Sequence, residues 1–163
     1  MVKEDFLFFW DGIYSQWYPS KFKDNTGKVF SCAEQYMMYH KAKMFKDNEI
    51  AKKIMSTTSP KEQKALGRKV KNFNEGVWNG VAKQIVYSGN RFKFTQNKRL
   101  LDQLLQSAPK TLVEASPYDK IWGIGLAEDD KRAQDRSTWQ GKNWLGEVLT
   151  NLRNDLLKEV IKN

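Results

Sequence analysis

The last stretch of the chain is the feature that most restricts the possible fold. In residues 144–161, apolar side chains recur at helical spacing and form one face of a predicted amphipathic helix. The residues of this face are Leu145, Val148, Leu149, Leu152, Leu156 and Val160. Such a face must pack against another element, so the chain needs a second apolar layer. Its 163 residues are enough for a substantial core, and we predict a single domain over residues 1–163.

Short apolar segments are the candidate strands for this second layer. Residues 6–10 and 111–115 have compositions typical of short strands. Residues 28–30 follow the turn signal Asn25-Thr26-Gly27 and are a further candidate strand. Residues 116–142 are rich in Gly, Asp and Trp, and we predict that they form an ordered loop.

Helix-start signals lie between these strands. They are the capping-box pairs Ser31/Glu34 and Ser59/Glu62, Asn74 before a helix over 75–87, and Thr95 before a helix over 96–105. Pro60 adds to the second signal because proline is favoured at the first position of a helix. We therefore predict an α+β fold, a predominantly helical single domain with a small β-sheet.

The composition indicates a soluble, cytoplasmic protein. Cys32 is the lone cysteine, so no internal disulfide points to an oxidising compartment. Residues 1–5 include two acids where a signal peptide needs a basic and then an apolar run, and no apolar segment approaches the ~20 residues of a membrane span. We expect no membrane association. The formal net charge of +9 favours phosphate-rich partners, although lysines spread along the chain serve solubility equally well.

Two charges occupy unexpected positions on the predicted helix over residues 33–45. On a helical wheel, Glu34 lies on the side that carries most of the apolar residues, and Lys41 lies within about 20° of Glu34, two turns along. The apolar residues of that side are Ala33, Met37, Met38, Met44 and Phe45, and the opposite side holds Gln35, Tyr36, Tyr39, His40 and Lys43. A buried charge must be paired or must line a cleft, so Glu34 and Lys41 are candidate site residues.

Two interpretations of this pair stay open. In the first, Glu34 completes a capping box with Ser31, and Lys41 lays its stem over apolar surface while its amine reaches water. In the second, the pair lines a binding site. The axial separation is roughly 10 Å at a rise of 1.5 Å per residue, which is room for a sugar.

The loop after the strand at 111–115 contains the next candidates. Asp119 and Trp122 precede Gly123 and Gly125, and glycines allow a ligand to approach the backbone closely, with amides turned toward a phosphate. Loops at strand ends commonly carry functional groups. The alternative is a simple turn with Trp122 in the core.

Other candidate binding residues lie further along the chain. Asn90, Arg91 and Lys93 lie among aromatic residues, as in a phosphate-and-base site, or alternatively at a solvated helix end. Trp78 lies on an apolar helix face, where core packing is the default. Asn143 either caps the last helix or lies near a ligand that the neighbouring glycines admit.

Several chemistries are excluded by the residues present. One histidine and one cysteine cannot build a common zinc site, and neither a phosphate-binding P-loop nor a dinucleotide fingerprint occurs. A Ser-His-Asp triad would need His40, which lies on the polar side of its helix, and no nucleophile elbow is present. Acid–base or lysine chemistry remains, and we expect neither a metal nor a cofactor.

An ordered set of motifs resembles the NADAR (YbiA-like) family, from about Phe6 to Arg153. The matching segments are Phe30-Ser31-Cys32-Ala33-Glu34-Gln35-Tyr36-Met37-Met38 with Lys41-Ala42, Leu66-Gly67-Arg68 with Phe73 and Trp78, residues 93–97, residues 114–125 and residues 139–146. The resemblance implies an α+β hydrolase that cleaves N-glycosidic bonds. Some members act on ribosylaminopyrimidine phosphate intermediates of riboflavin biosynthesis, and others remove ADP-ribose from guanine bases (guanine de-ADP-ribosylation).

The resemblance also assigns residues. The acid of the family's Ala-Glu-Gln-Tyr motif falls on Glu34, its helical lysine on Lys41, and its Asp-x-x-Trp-Gly acid and tryptophan on Asp119 and Trp122. We hypothesise that the two carboxylates stabilise positive charge at the anomeric carbon, activate water and protonate the leaving nitrogen, without an assignment of which does which. Lys41 either holds phosphate or ribose hydroxyls, or attacks the opened sugar as a Schiff-base nucleophile.

The expected partner is a phosphorylated ribosyl or ADP-ribosyl substrate, free or as ADP-ribosylated DNA or RNA. The alternative function is a non-catalytic module that binds ADP-ribose, NAD or nucleic acid. The oligomeric state is not readable from the sequence.

Overall fold

The computed structural model describes residues 4–162, with side chains for residues 4–161, so Met1, Val2 and Lys3 of the N-terminal segment lie outside it. The strands are β1 (Phe6–Phe9), β2 (Phe22–Lys23), β3 (Val29–Phe30) and β4 (Thr111–Glu114). The helices are α1 (Ala33–Met44), α2 (Asn48–Met55), α3 (Pro60–Gly67), α4 (Glu75–Asn79), α5 (Ala82–Thr95), α6 (Lys98–Gln106) and α7 (Trp144–Lys162). Helices predominate over strands, so the α+β class is confirmed.

The small β-structure is divided into two separate pairs of strands. β1 and β4 pair in parallel, with Phe6 opposite Thr111 and Phe9 opposite Glu114. β2 and β3 pair antiparallel, with Phe22 opposite Phe30. β2 was not predicted, because a strand of two residues is too short to show an alternating pattern.

The chain divides into two compact units. The middle unit, Gln16–Asn97, contains β2, β3 and α1 to α5. The flanking unit is formed by the chain before Gln16 and after Asn97, and it contains β1, β4, α6 and α7. The single domain predicted over residues 1–163 stays a prediction.

In the flanking unit, α7 packs against β4. The buried residues of its predicted apolar face are Leu145, Val148, Leu149, Leu152 and Leu156. The prediction for Val160 was wrong, because this side chain is 61% exposed. The 19 residues of α7 extend about 28 Å, whereas the four residues of β4 extend about 13 Å. The last turns of α7 therefore extend past the strand.

In the middle unit, α1 is the central element and packs against α2, α3 and α5. Glycines make two of these contacts close. A Cβ on Gly67 of α3 would collide with the Met38 side chain, and a Cβ on Gly89 of α5 would lie 2.5 Å from a ring carbon of Tyr36. Both glycines therefore allow neighbouring helices to approach α1 more closely than any other residue would.

Two of the predicted helix caps are confirmed. The Ser59 hydroxyl accepts a hydrogen bond from the Glu62 N–H, with Pro60 at the start of α3. The Asn74 side chain accepts from the Val77 N–H at 3.0 Å. The helix predicted over 75–87 is interrupted after Asn79, however, so that α4 is short and α5 starts at Ala82.

Two other caps were predicted wrongly. The N-cap of α1 is Cys32 rather than Ser31, and its side chain makes no capping hydrogen bond. Ser31 instead donates both its N–H and its hydroxyl to the Gln35 side chain, at 2.7 and 3.1 Å. Thr95 ends α5 and does not start α6, because its hydroxyl donates to the Arg91 carbonyl one turn back, at 2.6 Å.

Within residues 4–162, none of the helices combines the length and the apolar character that crossing a bilayer requires.

Candidate active site

The first half of α1 is buried on all sides. Glu34 is only 6% exposed although it carries a carboxylate. On the opposite side of α1, Gln35 and Tyr36 are buried as well, at 3% and 7% exposure. Three helices surround α1, so both of its sides face protein. A carboxylate buried at this position needs compensating charge or hydrogen bonds.

Buried amide side chains hold the start of α1 in place. Gln35 donates to the carbonyls of Ile54 and Thr57, both at 3.1 Å. Gln63 of α3 is fully buried, and it accepts from the Cys32 thiol at 3.2 Å and donates to the Thr57 carbonyl at 2.8 Å. These hydrogen bonds fix the helix turn that carries the candidate carboxylate.

Gln16 connects Glu34 to α5. Its carbonyl accepts the Glu34 N–H at 2.9 Å, and its side-chain oxygen accepts from the Asn90 amide at 2.8 Å. Asn90 is fully buried, and its Oδ1 has no hydrogen-bond partner within residues 4–162. The predicted binding residue Asn90 is therefore linked, through Gln16, to the backbone of the predicted catalytic acid.

Lys41 lies two turns after Glu34 in a partly buried position. Its ammonium is 4.5 Å from the centre of the Phe73 ring, a cation–π distance. Burial lowers the pKa of Lys41 from its usual 10.5, the negative charge of Glu34 opposes this effect, and the positive charge of Arg68 adds to it. Glu34, Lys41 and Arg68 therefore form one electrostatic cluster. A lysine with a lowered pKa has a larger fraction of nucleophilic free amine at neutral pH.

Lys93 differs from the predicted surface cation, because it is fully buried. Its ammonium lies 5.8 Å from the ring centre of Tyr18 and 5.0 Å from that of Phe94. Burial lowers the pKa of Lys93 to about 7, with the nearby Cys32 acting in the opposite direction. Arg91 is half-buried on the same helix, α5. A role for Lys93 as a solvent-facing phosphate ligand does not fit this environment.

Trp78 lies in α4 and is 6% exposed. This degree of burial agrees with the core packing that was the default for this residue, and it leaves little of the ring accessible for stacking.

The remaining predicted residues belong to the flanking unit. Asp119 closes a turn, because its Oδ1 accepts the N–H groups of Ile121 and Trp122 at 2.9 and 2.8 Å. Trp122 is half-buried and meets Trp144 edge-on, with ring centres 5.5 Å apart. The second carboxylate oxygen of Asp119 accepts no hydrogen bond from the described part of the chain.

The two loop glycines serve the loop itself. Gly125 has a φ of +70°, and its N–H donates to the Asp119 carbonyl at 3.1 Å. The prediction that this amide points toward a phosphate was therefore wrong. A Cβ on Gly123 would lie 3.0 Å from the Glu114 carbonyl, so the close approach at this position is between segments of the protein.

The side chain of Asn143 is hydrogen-bonded to the backbone of β4. Its Oδ1 accepts the Glu114 N–H at 2.9 Å, and its Nδ2 donates to the Leu112 carbonyl at 3.1 Å. The side chain is 3% exposed. Its amide group bonds to the backbone of β4 as a peptide group of a neighbouring strand would. This contact extends the hydrogen bonding of β4 and anchors the start of α7.

Sequence reasoning did not select Gln16, Arg68 or Phe73 as site residues. Arg68 and Phe73 stand within the motifs that carry the family resemblance, so a signal was present for both. Gln16 gave no signal, because its role depends on contacts with α1 and α5 that are distant in sequence.

Comparisons with known proteins identify the family of the chain. The family model described as NADAR domain matches residues 8–157. The chain belongs to the NADAR family. Among similar proteins, N-glycosidase R617 of Acanthamoeba polyphaga mimivirus is 47% identical over an alignment of 147 positions, which covers 88% of this chain and 86% of that protein. Because the chain belongs to this family and is 47% identical to this relative, it is an N-glycosidase.

Two further proteins are similar to this chain. The chloroplastic riboflavin biosynthesis protein PYRR of Zea mays is 32% identical over an alignment of 165 positions, which covers 93% of this chain and 25% of that protein. The NMR structure of E. coli YbiA matches with a TM-score of 0.81 and 26% identity, over 100% of this chain and 91% of that chain. The predicted YbiA-like NADAR fold is confirmed.

Proposed function

We propose that this N-glycosidase hydrolyses the bond between ribose and a base nitrogen in a phosphorylated ribosyl or ADP-ribosyl substrate. The observation that carries the proposal is the buried carboxylate of Glu34 on the same side of α1 as Lys41, whose pKa is lowered. A ribose fits the roughly 10 Å between the two backbone positions. The substrate class follows from the family and from the net charge of +9, which attracts phosphates.

Cleavage breaks the bond from the anomeric carbon to the base nitrogen. The electron pair leaves with the nitrogen, which takes up a proton, and positive charge develops at the carbon. Glu34 stabilises this charge and activates the water that attacks the carbon. The products are a free ribosyl hydroxyl and the protonated base, so the overall reaction consumes one water. Burial strengthens the electrostatic effect of Glu34, because little water is present to screen it.

Lys41 has two possible roles in this proposal. As a cation it holds a phosphate or the ribose hydroxyls. As a free amine it attacks the carbonyl carbon of the opened sugar and forms a Schiff base with loss of water. Borohydride reduces a Schiff base to a stable amine, so mass spectrometry after reduction during turnover separates the two roles. An adduct on Lys41 supports the nucleophile, and its absence with a good substrate assigns Lys41 to binding.

Glu34→Gln tests the proposed function. We expect turnover to fall about 10²–10⁴-fold while substrate binding is kept, because the substitution removes charge but little volume. Mass spectrometry follows base release from a ribosylaminopyrimidine phosphate and, separately, from guanine-ADP-ribosylated DNA. Glu75→Gln, at an exposed acid of α4, is the matched control and keeps turnover. Full activity of Glu34→Gln on both substrates contradicts the proposal.

Asp119 is the second carboxylate of the proposal. Asp119→Asn keeps an Oδ1 acceptor for the N–H groups of Ile121 and Trp122 but removes the charge. We expect kcat to fall by about 10²-fold or more with the thermal midpoint nearly unchanged. Asp119→Ala, which also breaks the turn, serves as the comparison. If only the alanine variant loses activity, the role of Asp119 is structural.

A further inference from the structure

The exposed side of α3 carries three cations. Lys61 and Lys64 lie in this helix, and Arg68 is its C-cap. At 100° per residue the three lie within about 60° of each other on the helix wheel, and they extend over about 10 Å along the axis. All three side chains are exposed. We call this group the cationic face of α3.

Within the described part of the chain, no acid forms an ion pair with this face. Glu62, the acid of α3, lies on a different side of the wheel, and its carboxylate accepts the Thr57 hydroxyl at 2.6 Å. Within residues 4–162, none of the three cations forms an ion pair. Unneutralised like charges held on one short helix repel each other, and a bound polyanion relieves that repulsion.

Exposed aromatic rings stand beside the same cations. Trp17 is 42% exposed, and the Lys64 ammonium lies 6.0 Å from its ring centre. Phe73 is also 42% exposed and lies beside Lys41, which interacts electrostatically with Arg68. Neighbouring cations and rings therefore connect Lys64 and Trp17 to the cluster that contains Glu34 and Lys41.

We propose that the cationic face of α3, together with Trp17, binds a single-stranded nucleic acid. Its phosphates contact Lys64 and Arg68, and one base stacks on Trp17. Cations interleaved with exposed aromatic rings are the combination that binds single strands with little sequence preference. A small metabolite with one phosphate uses one or two cations, whereas this face offers three along a helix. The inference rests on the proposed function only in making the strand the carrier of the ribosylated base.

The test is fluorescence anisotropy of short labelled oligo(dT) and oligo(U) with the full chain at increasing salt. For the wild type we expect binding to at least one strand, with affinity falling as salt rises. Lys64→Gln/Arg68→Gln should weaken binding about tenfold or more, and should flatten the slope of log K against log[salt] by about 1.4, or ~0.7 for each phosphate contact. Trp17→Leu should weaken binding at least about fivefold with the slope unchanged.

Lys52→Gln/Lys69→Gln removes the same number of charges from exposed lysines outside the face and is the matched control. Circular dichroism and urea midpoints establish that each variant is folded. The inference is overturned if the wild type binds neither strand, if the control double variant loses as much affinity, or if Trp17→Leu binds normally. Equal competition by polyglutamate and unlabelled oligonucleotide also overturns it.

The two proposals fail separately. Unmodified oligonucleotides contain no bond to hydrolyse, so strand binding is measured without turnover. Strand binding by a chain that releases no base from any ribosylated substrate overturns the proposed function and leaves the strand surface in place. Base release from the small substrate without strand binding supports the proposed function and overturns the strand-binding proposal.

Discussion

Two lysines with lowered pKa values occupy different environments in the middle unit. Lys93 is fully buried, and its pKa is lowered to about 7. Lys41 is partly buried between a negative and a positive neighbour. Burial and the charge of Arg68 lower its pKa, and the charge of Glu34 raises it. Only Lys41 combines a lowered pKa with partial exposure, which is the combination that an amine needs in order to meet a substrate.

Arg68→Gln should move the pH dependence of turnover. The positive charge of Arg68 lowers the pKa of Lys41, so its removal raises that pKa. The inflection that belongs to Lys41 then shifts to higher pH, whether the free amine or the cation is the active form. A pH–rate profile for a small ribosyl substrate measures the shift, with Lys69→Gln as the control. An unchanged inflection in Arg68→Gln would show that these two charges are not coupled.

At the scale of elements, the close packing of α5 against α1 constrains the position of the site. The Tyr36 ring lies against Gly89, and Tyr36 is 7% exposed. Because the ring is surrounded by Phe22, Phe30 and Phe92, it has little room to move. The position of α1, and therefore of Glu34, depends on the absence of a side chain at residue 89.

Gly89→Ala should destabilise the protein by a net ~1–2 kcal/mol. Overpacking costs about 1–3 kcal/mol, and the better helix propensity of alanine returns up to about 1 kcal/mol. Gly76→Ala in α4 is the control, because its Cβ would meet only the Asn74 side chain at 3.4 Å. Urea unfolding measures both variants. If the two have the same midpoint, the contact between Gly89 and Tyr36 does not limit the packing.

The sequence predicted the elements better than their surroundings. Helical periodicity is local, so it correctly placed Glu34 and Lys41 on one side of α1 and the leucines of α7 on one face. It could not show that α1 is enclosed by three helices, because that depends on contacts distant in sequence. Periodicity therefore gave no sign that Gln35 is buried, with its amide donating to the carbonyls of Ile54 and Thr57.

For the whole molecule, the burial of Lys93 links stability to pH. The folded-state pKa is about 7, below the ordinary 10.5 of an unfolded chain. Between these two values the unfolded chain binds a proton that the folded chain does not, so stability rises with pH. Below about pH 7 both states are protonated, and the folded protein carries the full cost of the buried charge.

Lys93→Met should therefore stabilise the protein most at pH 6, and its advantage should shrink as the pH rises. The expected decrease is about 1 kcal/mol per pH unit between pH 7 and about 10. Urea unfolding of both proteins across this range measures the difference, with Lys83→Met on the same helix as the reference substitution. A difference that does not change with pH would mean that the amine is solvated in the folded protein.

The amide of Asn143 has an evolutionary consequence. It ties the end of the long segment that follows β4 back to the strand where that segment begins, at Leu112 and Glu114. One side chain thus joins both ends of the segment, and the 3-10 turns at Lys131–Gln134 and Arg136–Thr138, which are exposed apart from the buried Ala133, lie between them. We expect short insertions at the exposed positions of these turns to leave α7 in register, so that this segment can change in length while the framework stays the same.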